Sequence, residues 1–233
     1  MPHSSLSRYI KNADWDSKEK IDARFYSIID SYREAFGLDS IPEDKQYWSM
    51  CGSHFNSCGP LKGELGQMLE YGLINKDQYF GVDKEEYIIT NNKKIYPDVN
   101  WICGDFLDSM KIYNENGIFN PSIINYDGVM QPEFGSQYLK QILKFIDYNI
   151  SNELLLIATF VLENPYNGAK NQSYDISEVG NQICKRYRFY DHWFPSSYTY
   201  VYSHSKAKMG VVFLAKEEHN PKRIMYNGVH IQN

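Results

Sequence analysis

No run of about 18 apolar residues occurs in the 233-residue chain, so no membrane-spanning helix is expected and a membrane is not among its partners. The opening stretch, MPHSSLSRYIKNADWD, lacks the apolar core of a secretory signal, and a cytoplasmic location is expected on that ground. Positive charge is not in excess. The formal net charge of −5 counts against a globally basic nucleic-acid binder, while leaving room for a local patch. Cysteine is scarce, with Cys51, Cys58, Cys103 and Cys184 the whole complement. The Cys51-x6-Cys58 spacing is too wide for a zinc knuckle, so free thiols are expected and no metal site. Glycine and proline are not enriched, which leaves an ordinary globular fold as the default. Also missing is a Gly-x-Gly-x-x-Gly turn opening a helix after the first strand, and this counts against a nicotinamide enzyme.

Tyrosine is abundant at 20 residues, a bias read as genomic background. The length suits one large domain with a substantial core. Asp16 to Glu19 fits a capping box, and Ile21, Phe25, Ile28, Ile29, Tyr32 and Phe36 then recur at helical spacing up to Gly37. A short buried strand is expected at 47–51, followed by the small-residue loop GSHFNSCGP. Pro60 suits the first turn of a helix carrying Leu61, Leu65, Met68, Leu69 and Leu73.

The segment QYFGVDKEEYIITNNKKIYPDVNWICGDFLD reads as strand, acid, helix, strand, acid. Tyr79 to Val82 is an apolar run that stops at Asp83. Glu85 to Ile95 is helical, and Val99 to Cys103 stops at Gly104-Asp105. Ligands of parallel α/β sheets bind at the carboxyl ends of strands, where an acid commonly accepts from a ribose diol. Two such acids one strand apart point to a nucleoside-containing cofactor. A fourth strand, Ser122 to Tyr126, is expected to end at Asp127-Gly128, with a helix from about Gly135 to Tyr148. Leu154 to Leu162 reads as a central parallel strand. A helix at about 176–190 and a hairpin of 198–202 with 209–215 complete the chain. Alternation implies a mostly parallel sheet with helices on both faces, in one domain.

Taken together, the small-residue loop, Asp83, Gly104-Asp105-Phe106, Asp127 and the closing hairpin resemble a class I S-adenosylmethionine-dependent methyltransferase over about residues 40–216. The resemblance implies a seven-stranded, mostly parallel Rossmann-like sheet with a C-terminal antiparallel hairpin. Residues 1–40 would be a helical extension, 41–216 the catalytic core and 217–233 a tail. It implies that Cys51, Gly52, Ser53 and Gly59 wrap the methionine part of S-adenosylmethionine. Asp83, with Lys84 beside it, would hold the ribose hydroxyls. Asp105, after Gly104, would accept from the adenine amine, with Cys103 or Phe106 against the ring. Asn125, Tyr126 and Asp127 would face the transferable methyl, with Asp127 as base and Tyr126 lining the channel. The first motif departs from the family: the strand carries no acid, and Gly59 comes seven positions after Gly52.

Alternatives stand beside each of these. Asp83 and Asp105 suit helix N-caps, and Asp127 suits a turn with Gly128. Asn164-Pro165-Tyr166 is similar to the Asn/Asp-Pro-Pro-Tyr motif of amino-methylating enzymes but is one proline short and follows the fifth strand. His54 and His192 are candidate proton acceptors or ordinary histidines. The run Lys185 to Tyr190 interleaves bases with aromatics, as in nucleic-acid contacts or an amphipathic helix end. A methyltransferase acting on nucleic acid is the leading expectation. A small-molecule methyltransferase and a non-catalytic scaffold or partner subunit follow.

Overall fold

The computed structural model describes residues 18–52, 63–130, 132–149, 154–163, 193–201 and 208–216. The chain enters through a helical stretch made of α1 (Lys18–Arg24), a π-helical turn (Phe25–Asp30) and α2 (Ser31–Phe36). Gly37 stops it with φ 67°, its N–H returning to Arg33 O at 2.8 Å. This is the left-handed terminus glycine adopts without a Cβ clash. Ile28, Ile29 and Tyr32 are buried as their spacing predicts, but Ile21 and Phe25 are only half-buried. Lys20, Ala23 and Ser27 face inward there instead. The π turn adds residues to one turn of helix and so rotates the face that meets the sheet.

Five strands then alternate with helices: β1 (Gln46–Met50), α3 (Glu64–Glu70), β2 (Tyr79–Asp83), α4 (Glu86–Ile95), β3 (Asn100–Cys103), α5 (Phe106–Glu115), β4 (Pro121–Met130), α6 (Pro132–Asn149) and β5 (Leu154–Glu163). The hairpin strands β6 (Trp193–Val201) and β7 (Lys208–Lys216) follow. The sheet order is β3-β2-β1-β4-β5-β7-β6. Strand β7 runs antiparallel to both of its neighbours, and the pairings among β1 to β5 are parallel. The order reverses between β1 and β4, which opens a crevice above their carboxyl ends.

Period-two alternation sends side chains into two cores. On one face Tyr47, Tyr79, Trp101, Ile123 and Ile157 pack beneath the N-terminal helix and α3. On the other, Trp48, Phe80, Ile124, Tyr126 and Leu156 pack beneath α5 and α6. Aromatic rings stack across the strand pair, Tyr47 on Tyr79 at 5.4 Å and Trp48 on Phe80 at 5.0 Å.

Two boundaries differ from expectation. Strand β4 does not end at Tyr126; it continues through Asp127 and Gly128 to Met130, with a register irregularity between Tyr126 and Met130. Strand β5 is as long and offers its backbone that far, with Met130 opposite Phe160, so Asp127-Gly128 forms no turn. Strand β6 begins at Trp193 rather than Tyr198 and contains Pro195. It lies at the sheet edge, where a missing N–H is tolerated. The expected helix at 176–190, the Asn164–Tyr166 motif, the basic-aromatic run 185–190, His54 and His192 lie outside the described residues.

Candidate functional site

Parallel pairing brings the strand ends level. Asp83 is opposite Cys103, and Asn125 is opposite Ser49. Asp127 therefore lies two residues beyond the β1 pairing, as Cys51 does. Of the first-motif loop, Cys51 and Gly52 are described; Ser53 and Gly59 lie outside. Cys51 N–H donates to Val82 O at 3.1 Å, which extends the β1–β2 pairing by one bond. Gly52 then turns the chain with φ 49°. Asn92, fully buried on α4, holds that turn: its amide donates to Gly52 O at 2.9 Å and reaches Cys51 Sγ at 3.9 Å. Burial, aided by the charges of Asp83 and Glu64, pushes the Cys51 thiol well above its usual range.

At the end of β2, Asp83 is half-buried and its Oδ1 accepts from Glu85 N at 2.8 Å. It shapes the turn into α4, while the N-cap residue itself is Glu85. Burial raises its carboxyl pKa, and the Glu85 charge adds to the effect. Asp105 is different. It is the N-cap of α5, accepting from Leu107 N at 3.0 Å and Asp108 N at 3.2 Å. Tyr138 on α6 donates to the same Oδ1 at 2.8 Å, and Lys84 Nζ lies 2.8 Å from Oδ2. Burial opposes ionisation here, but Lys84 and Tyr138 outweigh it and hold the carboxyl below its usual value. Gly104 before it leaves little room: a Cβ there would meet Ser109 Oγ at 3.2 Å. Phe106 is 1% exposed inside the second core, whereas Cys103 is exposed at the strand end. Of the two candidates for flanking a ring, Cys103 is the one at the surface.

Asn125, Tyr126 and Asp127 do not converge. Consecutive strand residues face opposite sides. Tyr126 belongs to the α5–α6 side, stacked on Tyr138 at 5.3 Å and tilted on Phe106 at 6.4 Å. Burial, then the charges of Asp105 and Asp127, push its hydroxyl up to about 12. Asn125 and Asp127 face the N-terminal helix. Asp127 Oδ2 receives Lys20 Nζ at 2.7 Å, with side chains 9% and 14% exposed for lysine and aspartate. Burial disfavours the Asp127 charge, yet Lys20 and Arg24 overcome it and lower the pKa.

Sequence reasoning missed Glu64. The carboxylate is 4% exposed and accepts from Tyr47 Oη at 2.9 Å and Asn125 Nδ2 at 2.9 Å, with Tyr79 Oη at 3.5 Å. It thus supplies, from the start of α3, a buried acid at the end of a β1 strand that carries none. A signal existed: Glu64 lies three residues after Leu61 and four before Met68, on the apolar face of its helix. Tyr138 was also missed as a partner of Asp105, although its place on the apolar side of α6 was expected.

The sequence matches no protein-family model and no curated protein. Solved structures do resemble it. The plantazolicin methyltransferase BamL, solved in complex with a triazolic desmethylPZN analog and SAH, is similar with a TM-score of 0.55 at 12% identity, over 91% of this chain and 89% of that one. An O-methyltransferase from Bacillus cereus in complex with SAH is similar with a TM-score of 0.43 at 13% identity, over 91% and 98% of the two chains. The fold is that of the class I S-adenosylmethionine-dependent methyltransferases, with a mostly parallel sheet and a C-terminal antiparallel pair.

Proposed function

We propose that this chain transfers a methyl group from S-adenosylmethionine to a small-molecule acceptor. The observation that carries the reading is the pair of carboxylates, Asp83 and Asp105, ending adjacent parallel strands beside the β1–β4 crevice. The donor and acceptor chemistry fits the cofactor. A ribose diol and an exocyclic amine are hydrogen-bond donors, and these groups are acceptors. Lys84 occupies Asp105 Oδ2, but its side chain is 64% exposed. A surface ion pair of that kind holds the lysine by about 0–1 kcal/mol, so it swings aside readily.

Bound S-adenosylmethionine supplies an electrophilic methyl on a sulfonium centre. The protein's task is then to position the acceptor in line, for which effective molarity accounts for several orders of magnitude. Gly52, held by Asn92, shapes the start of the loop around the methionine part, to which Ser53 and Gly59 also belong. Asn125, fixed by Glu64, marks the boundary between cofactor and acceptor. Tyr126, buried on the opposite sheet face against Tyr138 and Phe106, packs the second core and does not reach the acceptor. Asp127 is tied to Lys20 with a lowered pKa, which suits a charged anchor better than a proton acceptor working near neutral pH.

Isothermal titration with S-adenosylmethionine and S-adenosylhomocysteine tests the assignment. Asp83→Ala is expected to weaken both by at least about tenfold, roughly 1.4 kcal/mol, with the fold intact. Unchanged affinity removes Asp83 from the site, and no binding by the folded wild type leaves a scaffold role. A nucleic-acid acceptor predicts RNA or DNA affinity that falls steeply with salt. Salt-insensitive or absent binding supports the small acceptor.

A further inference from the structure

Strands β3, β2 and β1 are consecutive neighbours, and past their carboxyl ends stand Asp105, Asp83 and the Cys51-Gly52 turn in that order. Neighbouring strands lie about 4.8 Å apart. A nucleoside that gives its base amine to Asp105 and its ribose diol to Asp83 therefore carries its 5′ substituent over the end of β1. Gly52 is where the chain leaves that strand. Its φ is 49°, and a Cβ there would meet nothing within 4 Å, so conformation rather than crowding calls for glycine.

A side chain from another element holds this turn. Helix α4 buries one stripe, in which Ile89 at 3% exposure and Tyr96 at 6%, just past its end, flank Asn92 at 0%. An amide in such a stripe is costly unless hydrogen-bonded, and a leucine would fill the space without that demand. Asn92 directs its N–H groups to residues 51 and 52, donating to Gly52 O at 2.9 Å and reaching Cys51 Sγ at 3.9 Å. The peptide group is planar, so a carbonyl fixed there also fixes the plane from which the loop departs. Local sequence offers no substitute: β1 carries no acid, and Gly59 comes seven positions after Gly52.

We infer that Asn92 is a positioning residue for the amino-acid half of the cofactor, acting through the Gly52 turn without touching the ligand. This rests on the methyl-transfer reading. The site then has two halves with separate supports. Asp83 and Asp105 serve the nucleoside, while Asn92 and Gly52 serve the group on its 5′ carbon, where the sulfur and its methyl sit. Losing the Asn92 hydrogen bond frees the Gly52 carbonyl to turn and loosens the second half alone.

Calorimetry of the full chain with S-adenosylhomocysteine and with adenosine reads the halves apart, because adenosine lacks the amino-acid part. The wild type is expected to bind S-adenosylhomocysteine more tightly than adenosine. Asn92→Leu keeps a side chain of similar size in the stripe and removes both donors. It should weaken S-adenosylhomocysteine by about tenfold and leave adenosine within about twofold. Asp83→Ala should instead weaken the two probes alike, since it acts on the half they share. A residue that only holds the fold together would shift both probes equally. If Asn92→Leu does not fold by circular dichroism, Asn92→Ala carries the comparison with the same expectation. The inference is overturned by an unchanged S-adenosylhomocysteine affinity in the variant, by an equal loss for adenosine, or by equal binding of the two probes to the wild type. Binding of neither probe by the folded wild type sinks the methyltransferase reading and this inference with it. Tight S-adenosylhomocysteine binding with no selective effect at Asn92 sinks the positioning role alone.

Discussion

Replacing Glu64 by Gln would put an amide where a tyrosine hydroxyl and the Asn125 amide both donate. One carboxylate oxygen then becomes an NH₂, which only the Tyr47 hydroxyl can meet by turning acceptor, and the charge that strengthens both bonds is gone. A loss of about 2–3 kcal/mol is expected, read as a lower urea midpoint with an unchanged slope. An unaltered midpoint would mean that the network contributes nothing to stability. The same residue shows what single positions disclose. Asp83 and Asp105 were legible because strand, acid and helix follow one another within a few residues. Glu64 was hidden because a charged residue in the first turn of a helix is ordinary, and only its alignment with Leu61 and Met68 sets it apart. The Lys20–Asp127 pair joins residues 107 positions apart, and no local pattern announces such a contact. The expectation that Asn125, Tyr126 and Asp127 all face the transferable methyl did not weigh strand alternation, which alone puts Tyr126 on the opposite face from its neighbours.

Secondary-structure elements were more readable than their ends. Apolar periodicity located β1 to β5 and their helices because each buries one face or both. It failed where tertiary partners decide: β4 runs past Asp127 because β5 accompanies it, and β6 absorbs Pro195 because the edge forgives it. Gly81 belongs to this scale. It sits opposite Trp101 on β3, and a Cβ there would stand 2.4 Å from the indole Cζ3. Trp101 has little freedom to retreat, since its Nε1 donates to Tyr96 O at 2.8 Å and its ring meets Tyr79 edge-on at 5.7 Å. Gly81→Ala is therefore expected to destabilise by about 1–3 kcal/mol through overpacking. Thermal unfolding would read it, and an unchanged Tm would show that the indole yields freely.

At the scale of the molecule, pH divides the site carboxylates. Asp105 and Asp127 have folded-state pKa values below their unfolded ones, so their stabilisation is present above about pH 4 and lost as pH falls further. Asp83 is raised in the folded state and works the other way, with stability gained as pH falls through its folded value. Asp105 is partly exposed and paired through a surface lysine, which leaves Asp127 as the main acid-sensitive group of the three. Asp127→Asn should lower stability at neutral pH by about 3 kcal/mol, because it removes the carboxylate that faces a buried ammonium at 2.7 Å. It should also flatten the decline below about pH 4, measured by urea unfolding at each pH. An equally steep decline in the variant would place the acid-sensitive group elsewhere.

The place of β7 between β5 and β6 carries a consequence for biosynthesis. Strand β5 is buried along nearly its whole length, with Leu154 to Leu162 at 7% exposure or less. Yet its second partner is made some fifty residues later. Until β7 leaves the ribosome, β5 is an unpaired apolar edge of a half-finished sheet, the kind of template on which nascent chains aggregate. Synthesis stopped before Lys208 should give a product that pellets, whereas one continued through Lys216 should give a β5 closed on both sides. The last of the described strands to be made is thus the one that takes the most hydrophobic of them out of contact with other chains.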